Sequence, residues 1–150
     1  MLFKDCLCFA VGKASRHMAR VVREKISRFG LTHTQFFLLI ALYEENGILI
    51  TALARKVALD KSTLTSLLDR LEKDELIKRV SHPTDRRVIQ IYLTPKAEAL
   101  REDLIRTYHE VNRCFLSRLS PDELKLFEEI LEKLERAEGG EKDEAQEEQF

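Results

Sequence analysis

Three cysteines are the first residues whose type and spacing could do chemistry. Cys6 and Cys8 lie two residues apart in the segment DCLCF, and Cys114 lies far downstream in the 150-residue chain. On a helix the first two project about 200° apart, which argues against a shared metal ion, and no C-x-x-C motif accompanies them. A cysteine nucleophile needs a base held by a third group, and the sequence marks none. We therefore expect no metal, no cofactor and no enzymatic activity.

Basic and hydroxyl side chains are concentrated in the middle of the chain. The segment 55–87 holds nine basic and six acidic residues, a net charge of +3, although the whole chain carries −1. Cationic side chains bind phosphates, and polar side chains on a helix reach base edges in the major groove of DNA. The candidate DNA-binding residues are Lys61, Ser62, Thr63, Thr65, Ser66, Arg70, Lys78, Arg79, Asp85, Arg86 and Arg87.

An amphipathic helix is predicted to position the first part of this set. Asp60 is a good N-cap residue, and the helix runs from Lys61 to about Asp74. Four leucines between Leu64 and Leu71 share one side of it, and the hydroxyl and basic side chains share the other. Such a helix is suited to the major groove. The alternative is a solvated helix face in another kind of helical protein.

A β-hairpin is predicted to position the rest. The segments LIKRV and RVIQIYLT flank the turn-forming SHPTDR, and apolar residues alternate with others in the second of them. Arg86 and Arg87 would lie at the tip of this ribbon, where a guanidinium can enter a minor groove. We expect Asp85 to orient Arg87 by a salt bridge, and Lys78 and Arg79 to lie near phosphates at the base. The alternative is a surface ion pair on a solvated hairpin.

Further helices are predicted on both sides of this unit. A long helix ends at Gly30, and a T-x-x-Q capping box at Thr32 and Gln35 opens a second, buried one. Proline follows a capping residue at Thr94 and again at Ser120, which predicts two more helix starts. The first and last helices carry more apolar surface than one small domain covers, so we expect a partner subunit.

The segments LARKVALD, STLT, LLDRLE, LIKR, DRR and LTPKA, in this order, resemble the MarR family of bacterial transcription regulators. The resemblance implies a single, mostly α domain over residues 1–137. A winged helix-turn-helix with a two-stranded β-wing would cover about 31–94, and dimerisation helices about 5–29 and 95–137. It also implies a homodimer, a repressor or other regulator, that reads a pseudo-palindrome with half-sites about 34 Å apart on double-stranded DNA. Residues 138–150 would form an acidic, disordered tail.

The segment LCFAVGKASRHM resembles the start of the organic hydroperoxide regulators, a MarR subgroup. In that subgroup peroxide oxidises the cysteine of an L-C-F triplet, and the protein releases DNA. The resemblance makes Cys8 a candidate redox sensor, with Cys114 or Cys6 as the second thiol. Inert packing of these cysteines at a dimer seam is the alternative. Tyrosines hydrogen-bond the reactive sulfur in the subgroup, and the corresponding residues here are Gly12, Val22 and His33.

Two further expectations concern ligands and location. The family commonly binds a small apolar acid or phenol between the dimer arm and the DNA-reading lobe. No stretch approaches the roughly 20 apolar residues of a membrane span, and the start lacks a signal-peptide pattern, so we expect a cytoplasmic protein. The rival from another class is a helical protein-interaction module that never binds DNA. The aromatic residues that could line the small-ligand site between the dimer arm and the DNA-reading lobe are Phe9, Phe36, Phe37, Tyr43 and Phe115.

Overall fold

The computed structural model describes residues 6–136, so the predicted acidic tail, 138–150, lies outside the described residues. The chain divides into two compact units, up to Val111 and from Asn112, and each is described by itself. No helix in the described part of the chain is long and apolar enough to cross a membrane. The elements are α1 (Leu7–Ile26), α2 (His33–Glu44), β1 (Ile48–Leu49), α3 (Ile50–Val57), α4 (Lys61–Lys73), β2 (Ile77–Ser81), β3 (Ile89–Leu93), α5 (Pro95–Leu116) and α6 (Pro121–Glu135).

The first helix ends as its sequence predicts. After α1 the chain makes one 3₁₀ turn, Ser27–Phe29, and then Gly30 adopts φ +67°, where its N–H donates to the carbonyl of Ser27 at 3.3 Å. A left-handed residue at this point is ordinarily a glycine because it has no Cβ. Within the chain α1 buries only Val22 and Ile26, at its C-terminal end.

The second helix is the centre of the core. The predicted capping box is present: Thr32 Oγ1 accepts from the N–H of Gln35, and the Gln35 side chain accepts from the N–H of Thr32. Phe36, Leu39 and Leu42 are each fully buried. A helix that is apolar nearly all round must be covered on every side, which explains the central position of α2.

The helix-turn-helix consists of α3, a short turn and α4. Ala58 ends α3 in a left-handed conformation, φ 51°, and its N–H donates to the carbonyls of Ala54 and Arg55. Asp60 then begins α4 as the predicted N-cap. The four leucines of α4 are all buried, so its polar side faces away from the core: Leu64, Leu67, Leu68 and Leu71.

The predicted hairpin is confirmed, and a third strand joins it. Strands β2 and β3 pair antiparallel from Ile77–Leu93 to Ser81–Ile89. The two-residue strand β1 pairs with the other edge of β3, which gives the order β1-β3-β2. Gly47, at φ +83°, leads into β1, and a Cβ there would lie 2.8 Å from the Tyr92 ring. The fold is therefore the predicted winged helix-turn-helix, with a three-stranded sheet.

Candidate nucleic-acid interface

Asp60 organises the start of α4. Its carboxylate accepts from the N–H of Thr63 at 2.9 Å, from Thr63 Oγ1 at 2.6 Å and from Ser62 Oγ at 2.8 Å. These hydrogen bonds, those from Thr63 first, lower the pKa of Asp60 from 3.8 to about 2. Both hydroxyl protons are engaged, so Ser62 and Thr63 present oxygen lone pairs to a ligand and serve there as acceptors.

The exposed side of α4 carries what we call the reading face, the side chains of Thr65, Ser66 and Arg70. All three are exposed, and none has a side-chain hydrogen bond or ion pair within residues 6–136. Lys61, at the start of the helix, is exposed as well. The reading face is therefore available to a ligand that lies along the helix, as a base edge and its phosphate do in the major groove.

The wing tip, residues 82–88, is held by hydrogen bonds of its own backbone. The N–H of His82 donates to the carbonyl of Val88 at 2.8 Å, and the N–H of Val88 donates to the carbonyl of Asp85 at 3.0 Å. The Asp85 carboxylate accepts from the backbone N–H of Arg87 at 2.9 Å. The acid thus fixes the turn that carries the arginine.

This contact differs from the predicted one. The expected salt bridge between the Asp85 carboxylate and the Arg87 guanidinium is absent from the described residues. The Asp85 carboxylate instead accepts from the backbone N–H of Arg87, because the short side chain of an aspartate reaches the N–H two residues further along the chain within a tight turn. Arg86 and Arg87 are both exposed, and their guanidinium groups make no ion pair in the part of the chain that the structure describes.

The Arg79 side chain is bound by protein groups and is only partly exposed. Its guanidinium donates to the Glu72 carboxylate, to Asp69 Oδ1 at 2.7 Å and to the Thr65 carbonyl at 3.3 Å. Its backbone N–H also donates to Glu72 Oε1 at 3.2 Å. The prediction that Arg79 lies near phosphates missed these partners. Their spacing offered a signal, because residues four and then three apart on α4 share one side of the helix.

The cations that remain for a ligand are those other than Arg79. Asp69 and Glu72 are paired with Arg79, and these three side chains together keep a net charge of −1. Lys73 and Lys78 are exposed beside the reading face and the wing. Exposed cations on one side of a domain attract a polyanion and release its counterions on binding.

A cavity of about 410 Å³ lies behind the helix-turn-helix, between α2, the end of α3 and α5. Of the five predicted aromatic residues, Phe37 lines it, together with Tyr108. Phe36 and Tyr43 are core residues instead. The polar wall includes His33 and an ion pair between Lys56 Nζ and Glu44 Oε2 at 3.0 Å.

The cysteines differ in exposure. Cys8 is exposed in the first turn of α1, whereas Cys6, the N-cap residue of that helix, and Cys114 are half-buried. All three are free thiols. Within residues 6–136, no three histidine, cysteine or acidic side chains are grouped so that they could hold a metal ion.

A helix-turn-helix with an exposed polar second helix, followed by a hairpin with arginines at its tip, defines the class of winged-helix nucleic-acid-binding proteins. Comparison with known sequences identifies the family within that class. The sequence model of the MarR family matches residues 31–89. The chain belongs to the MarR family of transcription regulators. Members of this family are regulators and not enzymes, which confirms that part of the prediction.

Relatives match most of the chain. The transcriptional regulator YsmB of Bacillus subtilis is 35% identical over 129 residues, which cover 83% of this chain and 88% of YsmB. The regulator MgrA of Staphylococcus aureus is 34% identical over 132 residues, 87% of this chain and 88% of MgrA. The structure of reduced AbfR bound to DNA has a TM-score of 0.73 at 29% identity, with 86% of this chain and 88% of AbfR covered. Overoxidized AbfR bound to DNA gives 0.72 at 32% identity, covering 86% and 90%.

Proposed function

We propose that the protein is a repressor that binds a pseudo-palindromic operator as a homodimer. The observation that carries this proposal is the pair of exposed, unpaired guanidinium groups at a wing tip beside the polar reading face. A helix fits the major groove, and a thin ribbon with arginines fits the adjacent minor groove, where the potential is most negative. MgrA and YsmB are named as transcriptional regulators, and AbfR has been solved on DNA, which supports this proposal.

The proposed roles follow from position. Thr65 and Ser66 of the reading face and the acceptor oxygens of Ser62 and Thr63 contact base edges, and Arg87 enters the minor groove. Asp85 acts indirectly, because its carboxylate holds the turn that presents Arg87. Arg79 is left out of the contact set because its guanidinium is occupied by protein groups. The side chains that we assign to phosphates are Lys61, Arg70, Lys78 and Arg86.

Apolar side chains exposed on the first and last helices support the homodimer. Leu7 and Met18 on α1 are 58% and 43% exposed, and Phe127 and Leu126 on α6 are 50% and 55% exposed in the single chain. Helix α6 buries no residue within its own chain. Surfaces of this kind mark an interface, and a twofold axis would place two wings on successive turns of the duplex. A regulator bound to the chromosome acts in the cytoplasm.

Replacing Arg87 by alanine tests the wing. We expect Arg87→Ala to bind a duplex selected by the wild-type protein at least about tenfold more weakly, because a minor-groove cation is lost. The slope of log affinity against log salt should fall by about one. Gel shift over a salt series measures both quantities, and sedimentation should show an unchanged oligomer.

Arg106→Ala is the matched control, since Arg106 is an exposed arginine on α5 that pairs with Asp103. It should bind the duplex as the wild type does. Equal binding by wild type and Arg87→Ala would remove the wing from the mechanism. Weak, salt-insensitive binding by the wild type would instead favour the protein-interaction module.

Two triggers for release of DNA have structural support. The cavity of about 410 Å³ has the volume of a small-molecule site, and its aromatic side chains suit the apolar part of a small acid or a phenol. The exposed thiol of Cys8 at the start of α1 suits oxidation instead. Gly12 and Val22 supply no hydroxyl to the sulfur, so any donor must come from elsewhere. AbfR has been solved in a reduced and an overoxidized form, both bound to DNA, so a similar protein is known to undergo oxidation. Whether oxidation releases DNA from this protein is the first point to test.

Release by cumene hydroperoxide decides between these triggers. If the Cys8 thiolate reduces the hydroperoxide to its alcohol and becomes a sulfenic acid, wild type should release the selected duplex and Cys8→Ser should retain it. Cys6→Ser is the control and should still release it. Equal release by wild type and Cys8→Ser would exclude Cys8, and salicylate would then be the probe for the cavity.

A further inference from the structure

Arg79 connects the wing to helix α4 through contacts that are made without DNA. Its guanidinium, on β2, reaches across to three successive turns of α4 at Thr65, Asp69 and Glu72. We call these four residues the Arg79 bracket. Its contact at Thr65 is with the backbone carbonyl of a residue whose side chain belongs to the reading face.

The charges of the Arg79 bracket argue against a phosphate site. One guanidinium faces two carboxylates, so the group carries a net charge of −1. The Arg79 side chain is 23% exposed, less than those of Asp69 at 62% and Glu72 at 41%. A phosphate would therefore meet the acids before the guanidinium, and it would be repelled.

The geometry of the Arg79 bracket instead suits a group that holds β2 at a fixed distance from α4. A guanidinium is planar and carries five donors in a fixed fork, so it can bind two carboxylates and a carbonyl at once, which an ammonium group on a flexible stem does poorly. Glu72 also accepts from the backbone N–H of Arg79, so β2 itself is tied to α4. The position of β2 on α4 also fixes the position of the wing tip, because β2 and β3 pair as one hairpin in which Arg79 lies opposite Ile91.

We propose that Arg79 is a positioning residue that sets the distance between the reading face and the wing tip, so that both reach adjacent grooves of one duplex. This inference rests on the proposed DNA-binding function and deepens it. Surface ion pairs contribute little to stability, so the bracket should affect specificity more than folding. Specific binding needs both contacts in register, whereas non-specific binding needs only cations near phosphates.

The sign of the effect of Glu72→Gln tests the inference. Removal of an acid beside DNA should strengthen binding by simple electrostatics. The positioning role predicts the reverse for a selected duplex: affinity should fall at least about fivefold because the bracket opens. Affinity for a scrambled duplex of equal length should stay the same or rise. Asp69→Asn should act in the same direction, and Arg79→Lys should lose part of the selectivity although the charge is kept.

Asp74→Asn is the matched control, since Asp74 lies at the end of the same helix and outside the bracket. It should leave the ratio of the two affinities unchanged. If Glu72→Gln behaves as Asp74→Asn does, the inference is overturned. If the wild-type protein selects no duplex from a random pool, the proposed function itself fails, which is a separate outcome.

Footprinting separates a positioning role from general loss of structure. At saturating protein, Arg79→Ala should keep guanine N7 protected in the major groove under α4. It should lose the hydroxyl-radical protection of the adjacent minor groove, because the wing no longer points there. Thermal unfolding close to that of the wild type is expected alongside. Protection of both grooves at the wild-type level would show that Arg79 does not position the wing.

Discussion

At the scale of single residues, the N-cap of α4 shows how a local pattern becomes part of a site. Asp60 accepts from a backbone N–H and from two hydroxyls of the segment that is proposed to face DNA. Asp60→Ala should therefore free Ser62 and Thr63 and leave the first turn of the helix uncapped. We expect the melting temperature to fall by about 2–4 °C. Asp60→Asn is the control, since asparagine also caps well and should restore most of the loss.

The lowered pKa of Asp60 adds a pH dependence to this prediction. Its folded pKa of about 2 lies below the usual 3.8, because hydrogen bonds favour the carboxylate. The stabilisation is therefore complete above pH 3.8 and is lost as the pH falls towards 2. Denaturant unfolding of wild type and Asp60→Ala from pH 6 down to pH 3 should show the difference between their unfolding free energies shrinking. A constant difference would mean that the carboxylate charge does not matter.

Side-chain pairing at the wing marks the limit of what the sequence predicted. Asp60 was predictable because an N-cap depends on residues within one turn. The partners of Asp85 and Arg79 were not. Arg87 offers Asp85 both a guanidinium and a nearer N–H, and the turn geometry selects the N–H. The partners of Arg79 depend on how β2 lies against α4. The spacing of Thr65, Asp69 and Glu72 places them on one side of the helix but does not show which residue of the strand they meet.

At the scale of elements, the long periodic segments were predicted well. The segment ILI, residues 48–50, could be expected to make one short strand, but the sequence did not show which strand it would pair with. The long helices follow from apolar spacing over ten or more residues, and the hairpin follows from two five-residue strands on either side of a turn-forming segment. Strand β1 has two residues, too few for a period, and it forms because β3 offers a free edge beside it. Gly47 fixes that approach by leaving room for the Tyr92 ring. The cavity was likewise visible only once α2, α3 and α5 were placed together.

The junction between α2 and α5 gives a prediction at this scale. Tyr43 Oη donates to the Ala97 carbonyl at 2.6 Å, and Arg101 lies 4.8 Å from the Tyr43 ring centre. Burial, and then the charge of Glu98, raise the pKa of Tyr43 to about 12, so the hydroxyl remains a donor near neutral pH. Tyr43→Phe keeps the ring and loses this bond, which should cost about 1 kcal/mol of unfolding free energy.

Urea unfolding near pH 7 measures this cost. Tyr108→Phe is the matched control, because the Tyr108 hydroxyl makes no hydrogen bond within residues 6–136. Its unfolding free energy should stay within about 0.5 kcal/mol of the wild type. An equal loss in both variants would show that the Tyr43 hydrogen bond does not stabilise the junction of α2 with α5.

At the scale of the whole molecule, the proposed homodimer depends on apolar surface that the single chain leaves uncovered. Helix α6 is the clearest case, because it exposes Leu126, Phe127, Ile130 and Leu134 by 39–55%. Phe127→Glu places a charge among these side chains. Burying an unpaired carboxylate is costly, so the dimer should dissociate at micromolar concentrations where the wild type does not. Sedimentation velocity over a dilution series measures this change.

The affinity for the operator should depend on whether the protein is a dimer. A monomer contacts one half-site and loses the second set of phosphate contacts. Phe127→Glu should therefore bind a duplex with two half-sites much more weakly than the wild type does, and should bind a duplex with a single half-site about as well as the wild type does. Glu129→Lys is the control, since residue 129 lies about 200° around α6 from Phe127. It should remain dimeric. A wild-type sedimentation coefficient for Phe127→Glu, with full operator affinity, would place the dimer interface elsewhere than on this face of α6.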